Sequence, residues 1–433
     1  MKLPYRYYKF SVRLEKIPVI KLPPATPVST AEATQIKSLI RQLAKTNQRD
    51  FGLKPEVAGQ SFAPIRDPEF AGTKLNPNQL PAFVKLVRIG PRALPFLLEA
   101  LSDATPTRVT FKLEGIVGVM DFTNEVEGNP ANAREWKIVS GLPDREEEQR
   151  REATRNYRTY KPPPQFHTIT VGDLCFNIIG QIVGRSYEAI RYQPSGIYVV
   201  SSPTRDSSIV QAVRAIWSSS NPEQHVLNSL LLDFATRGIA KDKSDEAMSD
   251  WGIGNNFQRI AAKRLLFYFS RLTRSMIAQR LNHLRVEAIG YDSPAAIARW
   301  KKREFTNGVE ADMFIHTVNW CAEPEIRAAL ISIFQRASDR EVLLASLPAL
   351  DPSRHWPLVE LQFRTVFGSL NYWGDKDQWF RYGDEALAAL RRLGGNRARS
   401  LFHYCIKLGG DQCCFSICDV LDKTKGEWDK EFL

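Results

Sequence analysis

The chain has 433 residues, 43% hydrophobic and 25% charged, with nine Trp, 13 Tyr and 23 Phe. That composition excludes wholesale disorder and supplies core material for two or three packed units. No run approaches the roughly 18 apolar residues that span a bilayer, six cysteines exclude a disulfide scaffold, and a net charge of +11 raises the question of a polyanionic partner.

The basic start, Met1–Lys9, lacks the apolar core of a signal peptide, so the chain reads as soluble and cytoplasmic. A leader removed upstream is the open alternative. Residues 1–28, rich in Pro, Tyr and Lys, read as an extended arm or an isolated strand. Ser29 with Glu32 has capping-box spacing, and Ile36, Leu39, Ile40 and Leu43 follow at helical spacing, which predicts a helix over about 30–46. Residues 47–78 hold several Pro and Gly without periodicity and read as loop. Phe83, Leu86 and Val87 mark a short helix that stops at Gly90-Pro91, and Leu94, Leu97, Leu98 and Leu101 mark a second that reaches Asp103. Gly closing one helix and Pro opening the next punctuate an αα-hairpin.

Val109, Phe111 and Leu113 then alternate with polar residues, as in a strand. Residues 124–165 form a polar insertion. It holds the charge run Asp144-Arg145-Glu146-Glu147-Glu148, read as a short solvated helix, and the stiff linker Pro162-Pro163-Pro164. Thr168–Val171 reads as a brief strand leading into an apolar helix over Asp173–Val183, and Gly196–Ser201 as another strand. From Asp206 the pattern turns helical and stays so. Ile209, Val210, Val213, Ile216 and Trp217 share one face, and Leu227, Leu230, Leu231 and Phe234 another. Further stripes run through 257–289, 311–319, 325–336, 356–368 and 384–393, the signature of a helical array.

The segment Ile89-Gly90-Pro91-Arg92-Ala93-Leu94-Pro95-Phe96-Leu97-Leu98-Glu99-Ala100-Leu101 resembles the second half of a HEAT repeat. Gly383-x-x-Ala386-Leu387-x-x-Leu390 reproduces its Gly90-x-x-Ala93-Leu94-x-x-Leu97 pattern, with no constant period joining the two copies. Gly172-Asp173-Leu174-Cys175-Phe176 followed by Arg191-Tyr192-Gln193-Pro194 is similar to a pattern in uncharacterised bacterial HEAT-like proteins. The resemblance implies stacked helix pairs, an α-solenoid with a concave binding face, and no particular activity.

Four groups carry candidate chemistry. Between Phe257 and Glu304 eleven basic residues face three acids. On a helix starting near Phe257, the side chains of Arg259, Lys263, Arg264, Arg271 and Arg274 fall within an arc of about 140°, a cationic outer face for a phosphate backbone or other polyanion. A solvated surface is the plainer account, since no groove-reading motif accompanies the charge. His403, Cys405, Cys413, Cys414 and Cys418 offer soft ligands but lack paired C-x-x-C knuckles, so helical packing explains them better and no metal is expected. Cys175, eight residues after His167 and close to Asp173, suggests a Cys–His pair, yet its place in an apolar helix would leave the thiol inert. Tyr187, Arg191, Tyr192, Gln193 and Pro194 combine the residue types of interaction hot spots, or make a structural turn.

These observations predict a mainly α protein of HEAT-like helix pairs, or an irregular helical array, with a small β-containing N-terminal portion. Its parts are an arm over 1–28, a helical unit over 29–205 and a helical array over 206–433. The function they imply is non-enzymatic scaffolding, with another protein as partner and no cofactor. Binding of nucleic acid or another polyanion through 257–304 is the alternative, and a hydrolase at His167 and Cys175 a weaker one.

Overall fold

The computed structural model describes residues 6–14, 16–47, 62–65, 82–113, 135–140, 165–185, 187, 189–192, 198–200, 202–240, 253–284, 286, 308–368, 383–401 and 403–404. Within them the chain is mainly helical. It divides into two compact units, Met1–Tyr268 and Phe269–Leu433. The charge run at 144–148, the three prolines at 162–164, the basic residues from Arg299 to Arg303 and the four C-terminal cysteines lie outside the described residues.

The first unit runs, in chain order, through β1 (Arg6–Leu14), α1 (Thr30–Gln42), α2 (Ala82–Ile89), α3 (Leu94–Glu99), β2 (Pro106–Leu113), β3 (Glu135–Ser140), β4 (Gln165–Thr170) and α4 (Val171–Val183). It continues with β5 (Ile190–Tyr192), β6 (Tyr198–Val200), α5 (Ser207–Trp217), α6 (Pro222–Ala235), β7 (Thr236–Ala240) and α7 (Ile253–Tyr268). The strands lie in three antiparallel groups: β3-β1-β7, β2-β4 and β5-β6. Residues 6–14 are therefore not an isolated arm but the middle strand of a sheet. Its neighbours come from the polar insertion and from the predicted helical array, too far along the chain for a local pattern to reveal.

α4 is the centre of this unit. Every residue of it except Asn177 is buried, as expected for a helix apolar on all sides. α1, α2, α3 and α6 pack around it, with Ile36, Leu39, Phe83, Leu86, Leu94 and Leu97 filling the space between. The Gly90-Pro91 corner forms as read from the sequence, within a 3-10 turn that joins α2 to α3. Gly90 has φ +70°, and a Cβ there would stand 2.4 Å from the Tyr268 ring, so only glycine fits. The Tyr268 hydroxyl in turn donates to the Val87 carbonyl at 2.5 Å. Because α5 packs on α3 and α6 on α4, the helices after residue 205 belong to the first unit, and the division falls at Tyr268.

The segment between β1 and α1 is tied down by side chains, with Arg92 NH1 donating to the Thr26 carbonyl at 3.2 Å. Gln224 of α6 accepts from Leu22 N–H at 2.7 Å and donates to the Ile20 carbonyl at 3.1 Å, the two bonds a neighbouring strand would supply.

The second unit contains α8 (Ser270–Asn282), α9 (Gly308–Val318), α10 (Pro324–Arg336), α11 (Arg340–Ser346), α12 (Pro352–Gly368) and α13 (Gly383–Gly394). Packing links α8 to α10, α9 to α11, α10 to α11 and α12, and both α11 and α12 to α13. Ile277, Ile315, Ile333, Leu343, Val359 and Leu390 are among its buried residues. No helix among the described residues is long and apolar enough to cross a membrane.

Candidate functional site

The junction of β4 and α4 gathers a cluster of buried polar groups. Thr170 caps α4 through a reciprocal capping box: its hydroxyl accepts from Asp173 N–H at 3.2 Å, and Asp173 Oδ2 accepts from Thr170 N–H at 3.0 Å. The same carboxylate receives the Ser202 hydroxyl at 2.5 Å on Oδ1 and His167 Nε2 at 3.2 Å on Oδ2. Ser202 also meets the Thr204 hydroxyl at 2.9 Å. His167, Asp173 and Ser202 are all at most 2% exposed.

A serine triad needs the imidazole between nucleophile and acid, so that a base takes the hydroxyl proton. Here the carboxylate stands in the middle and the Ser202 proton already points at it. The hydroxyl is a donor fixing Asp173, not an activated nucleophile. Cys175, two residues on, is fully buried, and desolvation drives its thiol well above the ordinary range, with Asp103 and Asp173 pushing the same way. A thiol in that state is not the nucleophile a Cys–His hydrolase requires. The arrangement is a polar plug that fixes the start of the central helix against β4.

The end of α4 is fixed by charge. Gly184 at φ +77° closes the helix, and Arg185 turns inward to grip Asp233 of α6 with NH1–Oδ2 at 2.5 Å and NH2–Oδ1 at 3.3 Å. Ser229 takes a further bond from NH2 at 3.1 Å.

Of the predicted cationic arc, Arg259, Lys263 and Arg264 lie in α7 of the first unit and Arg271 and Arg274 in α8 of the second. A helical wheel assumes one continuous helix, but α7 ends at Tyr268 and α8 begins at Ser270, with Phe269 at φ −131°, ψ 30° between them. In α7, Lys263 is 7% exposed and Arg264 wholly buried, while Arg259 is half-buried. Arg264 donates from Nε to the Gln181 carbonyl at 2.5 Å and from NH1 to Ile260 O at 3.0 Å, and its guanidinium lies 4.9 Å from the centre of the Phe62 ring. In α8, Arg271 is exposed and Arg274 is held by acids: NH1 bonds Glu323 at 2.7 Å and Nε bonds Glu325 at 3.0 Å. The Ser270 hydroxyl donates to the same Glu323 at 2.7 Å. Lys263 and Arg264 are thus buried in the first unit and Arg274 is paired in the second, while Arg271 stays exposed.

The proposed partner turn is corrected in part. Tyr187 is fully buried, stacked at 4.7 Å on Phe176, and its hydroxyl accepts from Trp217 Nε1 at 2.8 Å. It is a core residue with its polar tip satisfied. Arg191 and Tyr192 lie in β5, paired with Val199 and Tyr198; their side chains, and Gln193 and Pro194, fall outside the description. His403 is exposed, and no metal-holding cluster occurs among the described residues.

Sequence reasoning missed Asp173 as a hub, although Thr170-x-x-Asp173 is a capping-box spacing in plain view. It also missed Arg185 with Asp233, which carry no local signal, and the converging Arg327 and Arg392 of the second unit, considered below. Comparison with known proteins finds no matching family model, no similar curated protein and no similar solved structure.

Proposed function

We propose that the chain is a non-enzymatic scaffold that holds a protein partner on the outer faces of its helix pairs. The observation that carries this reading is the two-sided character of α12 in the second unit. One side, Trp356, Val359 and Phe363, is buried, whereas Pro357, Leu361 and Arg364 stand exposed on the other, Leu361 at 63%. Leu272 on α8 is 43% exposed in the same unit. Helices packed on near neighbours in this way resemble HEAT-like pairs, whose outward faces are available to a partner. The hydrogen bonds of Asp173, Ser202, Arg185 and Asp233 in the first unit support the reading from the other side, because they are used in building the core.

The test is affinity isolation with the full chain in moderate salt, beside Leu272→Glu and Leu361→Glu variants that retain the wild-type circular dichroism. A stoichiometric protein retained by the wild type and lost from a folded variant is the expected outcome. Retention of nothing refutes the reading. Binding of labelled DNA or RNA that weakens steeply with salt would replace it with the polyanion alternative.

A further inference from the structure

Two arginines of the second unit converge on one backbone oxygen. Arg327 of α10 donates from NH1 to the Pro348 carbonyl at 3.1 Å, and Arg392 of α13 reaches the same oxygen from NH2 at 3.4 Å. Pro348 lies in the 3-10 turn Leu347–Ala349 that prolongs α11, so the two cations meet at the negative end of that helix. The helix end supplies about half an elementary charge, against two full positive charges. No carboxylate bonds either guanidinium among the described residues. Burial lowers the pKa of Arg327 from its ordinary value, and the nearby Arg392 pushes it the same way. Like charges are thus held together and under-compensated, Arg327 half-buried and Arg392 exposed. Each guanidinium has five N–H donors, and each uses a single one on Pro348.

We propose that Arg327 and Arg392 form a phosphate-binding site beside the Pro348 turn. A phosphate group carries a charge of about −1.5 to −2 at neutral pH and several acceptor oxygens, which matches the surplus that the helix end leaves. Both guanidiniums lie within hydrogen-bonding reach of one point, so a tetrahedral oxyanion can take one oxygen to each. A carboxylate, with a single charge, leaves part of the surplus uncompensated. The site does not depend on the scaffold reading and would stand if that reading failed.

The experiment is a phosphorus-31 NMR titration of inorganic phosphate with the full chain, at constant ionic strength set by chloride. Arg392→Gln is the decisive variant, because Arg392 is exposed and its loss leaves no cavity. Arg327→Gln/Arg392→Gln removes both cations. Arg354→Gln, exposed on α12, removes one charge elsewhere. Charge-assisted bonds are strong enough that Arg392→Gln should weaken phosphate binding by about tenfold or more, with the double variant abolishing it and Arg354→Gln leaving it unchanged. O-phosphoserine runs in parallel: tighter binding than inorganic phosphate means the group arrives on an ester, equal binding means a free ion, and either supports the site. The proposal is overturned if wild type does not bind phosphate, if acetate binds as tightly, or if Arg354→Gln weakens binding as much as Arg392→Gln. It is overturned equally if Arg392→Gln lowers the unfolding temperature while phosphate affinity stays the same, since the pair would then only cap the turn.

Discussion

Two arginine–carboxylate pairs in the first unit are both bidentate and have very different surroundings. Arg185 grips Asp233 at 2.5 and 3.3 Å with both side chains almost sealed, 2% and 7% exposed. Arg92 grips Glu32 at 2.7 and 2.5 Å with 27% and 26% of the side chains still in contact with solvent. In water the attraction is offset by hydration and screened by salt. In the core, the attraction is stronger but each ion has lost its hydration, so the pair stands or falls together. The contrast teaches that bond length does not rank these contacts. The surroundings of each pair decide what is lost when one partner goes.

The largest effect should come from breaking the buried fork on one side. Asp233→Ala takes the bidentate carboxylate from the buried Arg185 guanidinium, which should cost about 3–5 kcal/mol of unfolding free energy. The measurement is the urea midpoint by circular dichroism, compared with an Arg185→Met/Asp233→Leu double variant. Replacing both ions by apolar groups of similar size should return to within about 1 kcal/mol of wild type. A single variant that unfolds like wild type would mean that the pair is solvated in solution and that the contrast with Arg92 and Glu32 does not exist.

A neutral contact in the same core sharpens the point. Tyr187→Phe keeps the ring stacked on Phe176 but takes the hydroxyl acceptor from Trp217 Nε1. An unsatisfied buried N–H should cost about 1–3 kcal/mol, less than the broken buried fork and more than a surface contact. Trp217→Phe in the same background should add little beyond its packing loss, because the donor would then be gone too. A cost equal to that of Asp233→Ala would show that burial alone, and not charge, sets the scale.

How much of this was legible in the sequence depends on distance along the chain. The 3.6-residue periods of α1, α2, α5 and α6, the Gly90-Pro91 corner and the alternation of Val109, Phe111 and Leu113 are local, and the structure bears them out. Thr170-x-x-Asp173 is equally local, but its cap is masked by the apolar run that follows it, which reads as packing. The partners of β1 at 135–140 and 236–240 have no local signature, nor has Asp233, 48 residues beyond Arg185. The burial of the basic residues was hidden for another reason. A wheel shows which residues share a side and not which side is buried, and no Gly or Pro marks the break at Phe269. Arg264, counted as surface charge, fills a space against Phe62 and the end of α4.

The smallest effect belongs to the solvated fork, and its pH dependence is the cleanest way to see it. The Arg92 hydrogen bond holds the Glu32 carboxyl below its usual range, with Arg92's charge and the Ser29 N–H adding to it and partial burial opposing. A depressed folded-state pKa means that the unfolded chain takes up the proton first as pH falls. The stabilisation is therefore complete well above the unfolded value of about 4.3 and disappears as pH drops through the lower folded value. Glu32→Gln should cost at most about 1 kcal/mol at neutral pH, and the gap between variant and wild type should close below about pH 4. High salt should shrink the same gap at neutral pH, whereas the Asp233→Ala loss should barely respond. If the Glu32 gap persists at low pH, the bond works through the shape of the side chain at the start of α1 and not through its charge. The two forks would then differ in kind as well as in degree.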